Sequence, residues 1–240
     1  MARLLVTNVR DYAGPGAVPI LIRDGHEFLC HDASFADPEA RRQFEAEHPA
    51  VRTLAADDPD EIVREASAFG PLDGLVSNDV YPITSRPVED IPLEDLRATI
   101  ERVLIFPFRL TQLVLPEMKA KGRGSIVYVT SARETRPEPG FAVPTTVRGG
   151  ATAFAKAVAK EAAPFGVQVN VVAPNYLYSE MYYPRARFVD DPEGRAAIAR
   201  TVPMGRLGEP EEVGELIAFL ASGRSRFTTG QVVYFTGGWP

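Results

Sequence analysis

The chain has 240 residues, 45% of them hydrophobic, and a formal net charge of −6. This length and apolar content predict one α/β domain over residues 1–240 with a large core. Basic residues are neither in excess nor clustered, which argues against nucleic acid or an anionic membrane as a partner and favours a small molecule. The single cysteine, Cys30, excludes an internal disulfide and a cysteine-based zinc cluster.

The amino terminus leads directly into a predicted strand without a signal-type apolar core, and no apolar run reaches the roughly 18 residues of a membrane span. We therefore expect a cytoplasmic protein that does not cross a membrane. The three histidines, His26, His31 and His48, are scattered, so no metal site is expected.

The first predicted unit is a strand over residues 3–7, a turn over residues 8–16 and a helix through Val18 and Leu21. A strand, a glycine turn and a helix open a dinucleotide-binding unit, in which small residues let the backbone approach a pyrophosphate. Here Tyr12 crowds the turn, because its ring would occupy the space that a phosphate or nicotinamide needs. Packing of this ring against the sheet explains it equally well.

Strands and helices then alternate along the chain, which predicts a Rossmann-like, doubly wound parallel sheet flanked by helices. Asp32, after the second strand, could hold an adenosine ribose in a cofactor enzyme, but beside the crowded turn we interpret it as structural. Further strands are predicted at 28–30, 51–54, 72–78, 125–130, 167–173 and 229–239, and further helices at 39–47, 59–68, 92–120 (bent at Pro107 and Pro116), 147–163 and 211–221.

Ser131 and Arg148 are the strongest candidates for chemistry. Ser131 follows the β-branched run over residues 125–130, at the carboxyl end of a buried parallel strand, which is where open α/β sheets bind ligands. Arg148 falls within the first two turns of the next helix, whose start would direct it towards Ser131.

A loop over residues 174–184 contains four tyrosines. Aromatic residues this dense at the carboxyl edge of a sheet suggest a pocket wall, where backbone N–H groups and ring edges can hold a weakly hydrated anion. A loop whose rings cover the core or a partner subunit is an equally good interpretation.

Taken together, these patterns resemble the short-chain dehydrogenase/reductase superfamily and, more closely, its halohydrin dehalogenases. The residues that carry the resemblance are Thr7-Asn8-Val9 with Tyr12, Cys30-His31-Asp32 with Ser34-Phe35, Val76-Ser77-Asn78-Asp79, Pro107-Phe108, Thr130-Ser131-Ala132, Pro174-Asn175-Tyr176-Leu177 with Ser179-Glu180, Pro203 to Pro210, and Thr229-Gly230-Gln231 with Gly237-Gly238. They span the full length, and together they are specific whereas each alone is weak.

The resemblance implies a lyase without a cofactor that closes vicinal halohydrins to epoxides with halide release and reopens epoxides with small anions such as azide, cyanide, cyanate or nitrite. It also implies a homotetramer held by the helices at 93–120 and 147–163. It assigns Ser131 to the substrate oxygen and Arg148 to positive potential. The implied halide or nucleophile site is Tyr12, Pro174, Asn175, Tyr176, Leu177 and Tyr182, and the suggested substrate pocket is Tyr81, Ile83, Ala132 and Trp239.

One position departs from the family pattern. The family places its catalytic tyrosine where this chain has Pro144, and no tyrosine occurs between Ser131 and Arg148. Proline fits the first turn of a helix but has no ionisable group, so it cannot take the substrate proton. Three hypotheses remain: a dehalogenase with impaired or altered turnover, an inactive homologue that binds or assembles, and a nicotinamide-dependent oxidoreductase, which Tyr12, Val80, Pro144 and Arg148 oppose.

Overall fold

The structure, a computed structural model, describes residues 2–82 and 85–240. It confirms the predicted fold class, because seven parallel strands form one sheet in the order β3-β2-β1-β4-β5-β6-β7. The chain reverses its direction of strand addition between β1 and β4, which is the usual ligand-binding place of such sheets. The strands are β1 (Arg3–Val6), β2 (Glu27–His31), β3 (Arg52–Leu54), β4 (Gly74–Ser77), β5 (Gly124–Val129), β6 (Val167–Pro174) and β7 (Val232–Phe235).

Helices cover both faces of the sheet. Successive residues of a strand point to opposite faces, so Leu4 and Val6 join one apolar cluster with α1 and α9, whereas Leu5 joins another with α3, α5 and α6. The helices are α1 (Gly14–Arg23), α2 (Pro38–Glu47), α3 (Pro59–Ser67), α4 (Leu93–Ile100), α5 (Phe106–Lys121), α6 (Ala142–Ala162), α7 (Arg185–Phe188), α8 (Pro192–Thr201) and α9 (Pro210–Ala221).

The long helix predicted at 92–120 is interrupted by a π-helical turn at Glu101–Ile105. Proline at 107 has no N–H to donate to the preceding turn, and the wider turn just before it accommodates that loss. The predicted bend at Pro107 therefore takes the form of a separate turn, whereas Pro116 lies within α5. The turn places Val103 on the wall of the cavity described below.

Other boundaries also differ from the prediction. Helix α6 begins at Ala142 rather than 147, and α7 and α8 were not predicted. Strand β7 is shorter than the predicted span 229–239, since Gly237 and Gly238 adopt positive φ and turn the chain away from the sheet. Among the described residues, no helix is long and apolar enough to cross a membrane. Residues 2–82 and 85–240 also contain no group of three or more histidine, cysteine, aspartate or glutamate side chains that could hold a metal ion.

Candidate active site

A cavity of about 70 Å³ lies at the carboxyl edge of the sheet. It forms there because the turns after β1, β4, β5 and β6 converge on the amino-terminal half of α6. Its walls are mostly apolar and aromatic, with a few polar groups, as is usual for small-molecule sites. The lining residues are Tyr12, Tyr81, Thr99, Val103, Ser131, Arg133, Phe141, Pro144, Arg148, Pro174, Asn175, Tyr176, Leu177, Tyr182 and Tyr183.

Ser131 follows β5 and caps the short 3-10 helix Ala132–Glu134. Its backbone is extended, and its Oγ accepts a hydrogen bond from the Arg133 N–H at 3.2 Å. A serine hydroxyl both accepts and donates, so this bond leaves the O–H as a donor for a ligand oxygen in the cavity.

Arg148 is 7% exposed and lies in the second turn of α6. Its Nη1 donates to the Val129 carbonyl at 2.9 Å, which fixes the guanidinium beside the end of β5. Within the described residues it has no carboxylate partner. A buried cation without a counter-charge is costly unless an anion or strong acceptor approaches it, so the cavity favours a negatively charged ligand.

Asn175 provides a second feature that suits an anion. Its Oδ1 accepts hydrogen bonds from the Tyr176 N–H at 3.0 Å and from the Tyr183 hydroxyl at 3.3 Å. Its Nδ2 is buried and has no hydrogen-bond partner among the described residues. Because buried donors are nearly always paired in native proteins, this free N–H points to a ligand acceptor.

Three tyrosines of the cavity are poor bases near neutral pH. Burial raises the pKa of Tyr12 above its ordinary value, against the opposing charge of Arg148. Burial also raises the pKa of Tyr176 and of Tyr183. These phenols therefore keep their protons at neutral pH. The Tyr12 hydroxyl donates to the Thr130 carbonyl and the Tyr183 hydroxyl to Asn175 Oδ1.

Pro144 is the third residue of α6 and lines the cavity one helical turn before Arg148. An N–H at this position has no partner within its helix, so proline costs no backbone hydrogen bond there. Among the described lining residues no histidine, lysine or carboxylate supplies an alternative base for proton transfer near neutral pH.

The structure brings most of the predicted site residues together. Ser131, Arg148 and Pro144, all six residues of the predicted halide site, and Tyr81 line one cavity. Ala132 and Trp239 do not lie along it; they are buried in an apolar cluster with Tyr176. Ile83 lies outside the described residues.

Several lining residues were missed by the sequence analysis. Arg133, Phe141 and Tyr183 are brought to the cavity by loop structure, Thr99 by the last turn of α4 and Val103 by the π-helical turn between α4 and α5. Tyr183 alone carried a signal, as a member of the tyrosine-rich loop.

The turn after β1 does not fit a dinucleotide pyrophosphate. The Asn78 amide fills it, donating to the carbonyls of Asn8 and Asp11 at 2.8 and 2.9 Å and accepting from the Ala13 N–H at 3.3 Å. The Ala13 N–H at the start of α1, which could face a phosphate, is therefore already engaged, and the Asn78 side chain occupies the turn. Asn8 and Tyr12 both adopt positive φ, 51° and 56°, so non-glycine residues hold left-handed positions in this turn.

Gly16 and Asp32 have structural explanations. A Cβ at Gly16 would lie 1.7 Å from the carbonyl oxygen of Pro210, so the close packing of α1 on α9 requires glycine there. The Asp32 carboxylate accepts from the N–H and the hydroxyl of Ser34 and from the Arg10 N–H, in line with the structural interpretation.

Fold and site together define a Rossmann-like α/β protein with an anion-suited small-molecule cavity at its sheet edge. A family model described as enoyl-(acyl carrier protein) reductase matches residues 21–240. The chain therefore belongs to the short-chain dehydrogenase/reductase superfamily.

Relatives by sequence are oxidoreductases by name. The gluconate 5-dehydrogenase of Gluconobacter oxydans is 31% identical over 245 residues, covering 99% of this chain and 94% of the relative. A tropinone reductase homologue of Arabidopsis thaliana is 32% identical over 173 residues, covering 72% of this chain but 64% of the relative, so the match spans less than two thirds of that protein.

Two similar solved structures are dehalogenases by name. A halohydrin dehalogenase bound to ethyl (2S)-oxiran-2-ylacetate superposes with a TM-score of 0.96 at 34% identity, covering 100% of this chain and 97% of that one. A second structure, described as a dehalogenation enzyme, superposes with a TM-score of 0.95 at 36% identity, covering 100% and 98%. The chain is thus similar both to oxidoreductases, at 31% and 32% identity, and to dehalogenases, at 34% and 36% identity.

Proposed function

We propose that this chain is a halohydrin dehalogenase-type lyase that works without a cofactor and whose proton-transfer step is impaired. Its reactions are closure of vicinal halohydrins to epoxides with halide release, and opening of epoxides by azide, cyanide, cyanate or nitrite. The observation that carries the proposal is one cavity that joins the Ser131 hydroxyl, the unpaired Arg148 cation and the free Asn175 amide, beside a turn that does not fit a dinucleotide.

In ring opening, the anion held near Asn175 attacks an epoxide carbon, the C–O bond breaks, and the oxygen keeps the electron pair. Ser131 donates a hydrogen bond to this developing alkoxide, and the positive charge of Arg148 stabilises it. A water molecule then supplies the proton. The Asn175 N–H, which has no partner among the described residues, holds the anion before attack.

Closure makes a greater demand on the site. The alcohol must lose its proton while its oxygen displaces the halide, which leaves with the C–halogen electron pair. Pro144 cannot accept that proton, so water must do so without a positioned base. Because general acid–base catalysis contributes typically about 10²–10⁴-fold, we expect closure to suffer more than opening.

A second candidate function rests on Pro144 itself. A homologue that binds epoxides or small anions without turnover would keep the same cavity and have no need of a base. Residual ring opening by the parent chain distinguishes a weak enzyme from such a binding protein.

Assembly and location belong to the same proposal. We expect a cytoplasmic homotetramer whose contacts involve the helices at 93–120 and 147–163. Three exposed apolar side chains, Leu93, Ile105 and Phe108, lie on the first of these segments, and they are 53%, 46% and 46% exposed. Burial of such residues against a second copy would remove their apolar surface from water.

The direct test is the rate at which azide opens a simple terminal epoxide, measured as product formed, in the parent and in Ser131→Ala. Turnover that falls at least about tenfold in the serine variant supports the proposed enzyme. Bound NADH or NADPH at micromolar concentration, detected by titration, would instead favour an oxidoreductase.

A further inference from the structure

Arg133 gives the cavity a second positive group for which the proposed reaction has no use. It lines the cavity two residues after Ser131, and its guanidinium carbon lies 4.0 Å from the centre of the Phe141 ring. Its side chain is 17% exposed, so the charge is largely shielded from bulk water. Stacking on an aromatic ring holds a guanidinium plane in a fixed orientation.

Arg133 shares the cavity wall with three of the tyrosines, Tyr12, Tyr176 and Tyr183. Burial raises the pKa of Tyr183, and the positive charge of Arg133 is the largest influence that opposes this rise. The same charge also acts on the phenols of Tyr12 and Tyr176, although on Tyr176 the negative charge of Glu138 acts more strongly. The guanidinium therefore lies near the groups that would surround a ligand.

Arg133 forms one ion pair and keeps two nitrogens without a hydrogen-bond partner among the described residues. Its Nη1 pairs with Glu138, which lies outside the cavity wall and is 33% exposed. Among the described residues Nε and Nη2 have no hydrogen-bond partner. These two nitrogens form one edge of the guanidinium fork, the edge that binds a carboxylate through two parallel hydrogen bonds.

We propose that Arg133 binds the carboxylate of an acidic substrate, so that the preferred substrates are small epoxides or halohydrins carrying a carboxylate. This inference rests on the proposed function, because it names the substrate class of the same cavity. Arg148 stabilises the charge on the reacting oxygen and Asn175 binds the halide. Arg133 binds the carboxylate substituent of the substrate. The small cavity favours a planar carboxylate over a bulkier phosphate ester. Arg133 is a specificity-determining residue rather than a catalytic one.

The test compares two probes that differ in charge and little in shape, oxiranylacetate and oxiranylacetamide. Their affinities are measured by calorimetry with no nucleophile added, for the parent chain, Arg133→Gln, Glu138→Gln and Arg136→Gln. Arg136 is the matched control, since it lies on the same loop but is exposed and outside the cavity wall.

We expect the parent to bind the carboxylate at least about tenfold more tightly than the amide, as for hydrogen bonds to charged groups. Arg133→Gln should remove most of this preference while the amide still binds, with Arg148 accounting for what is left, and Arg136→Gln should keep it. Glu138→Gln should strengthen carboxylate binding, because it removes the competing internal carboxylate. This variant tests the inference even where Arg133→Gln does not fold.

Equal affinity of the parent for both probes would overturn the inference and leave the proposed function standing. Equal losses for both probes in Arg133→Gln would also overturn it, because they would indicate a structural role. Failure of both probes to bind at all would overturn the inference and the proposed function together.

Discussion

The guanidinium carbon of Arg148 lies 5.6 Å from the centre of the Tyr12 ring. This contact links the turn after β1 to helix α6 across the carboxyl edge of the sheet. The Tyr12 ring also meets Tyr182 edge-on, with 5.5 Å between ring centres. A turn that receives a pyrophosphate in dinucleotide-binding proteins is here a wall of the cavity.

The packing of Tyr12 predicts a large effect on stability. Tyr12→Ala should lower the free energy of unfolding by about 3 kcal/mol, because loss of the buried ring leaves a cavity. This cavity would lie between the turn after β1, helix α6 and the loop at 174–184. Tyr12→Phe is the control and should cost less than about 1 kcal/mol, since the Tyr12 hydroxyl bond to the Thr130 carbonyl is long, at 3.4 Å. Urea unfolding of the three chains measures both values. An alanine variant as stable as the parent would show that the ring does not join these elements.

Asn175→Asp should weaken bromide binding by about tenfold or more. The aspartate can still accept from the Tyr176 N–H and the Tyr183 hydroxyl, but it replaces the free N–H donor by a negative charge facing the anion. Calorimetric titration with bromide gives the dissociation constants of both chains. Unchanged affinity in the aspartate variant would place the halide elsewhere.

Halide binding should vary little with pH from neutrality to the ordinary tyrosine pKa of about 10. The pKa values of Tyr12, Tyr176 and Tyr183 are raised by burial, so the protonated, uncharged form persists throughout this range. Affinity should fall only above it, when phenolates would repel the anion. Bromide titrations at several pH values check this expectation, and a midpoint well below pH 10 would contradict the raised pKa values of these phenols.

Phe108→Glu should shift the chain from a tetramer towards smaller species. Its side chain is 46% exposed and packs on Phe154 of α6, with 5.1 Å between ring centres, so a charge there would face the proposed contact. Sedimentation measures the mass, and Phe165→Glu, on an exposed ring beyond α6, is the comparison. A parent chain that sediments as a monomer would remove the proposed tetramer.

The sheet could be predicted from the sequence because its central strands are continuous apolar runs. The β-branched run at 125–130 and the run at 167–173 correspond to β5 and β6, and this placed Ser131 at the carboxyl edge. Helix α8 was missed since its buried residues are only Gly194 and Ile198, too few for an apolar stripe. Its start did carry a signal, as Asp191 caps a helix that begins with Pro192.

The cavity was predictable in part, for a physical reason. Residues that directly follow strands, such as Ser131 and Asn175, reach the sheet edge wherever their strands end. Arg133 reaches the sheet edge only through a 3-10 turn and stacking on Phe141, and no local sequence pattern predicts such a contact. The role of Asn78 was likewise hidden, because its amide fills a turn more than sixty residues earlier in the chain.

The most direct test of the account is the rate of bromide release from a simple bromoalcohol by the parent, Pro144→Tyr and Pro144→Phe. The account predicts that tyrosine raises the rate by about 10²–10⁴-fold, whereas phenylalanine, which adds the ring without the hydroxyl, does not. Neither change removes a backbone hydrogen bond, since the third residue of α6 needs none. A parent chain that already releases bromide as fast as the tyrosine variant would contradict the account, because another group would then carry the proton.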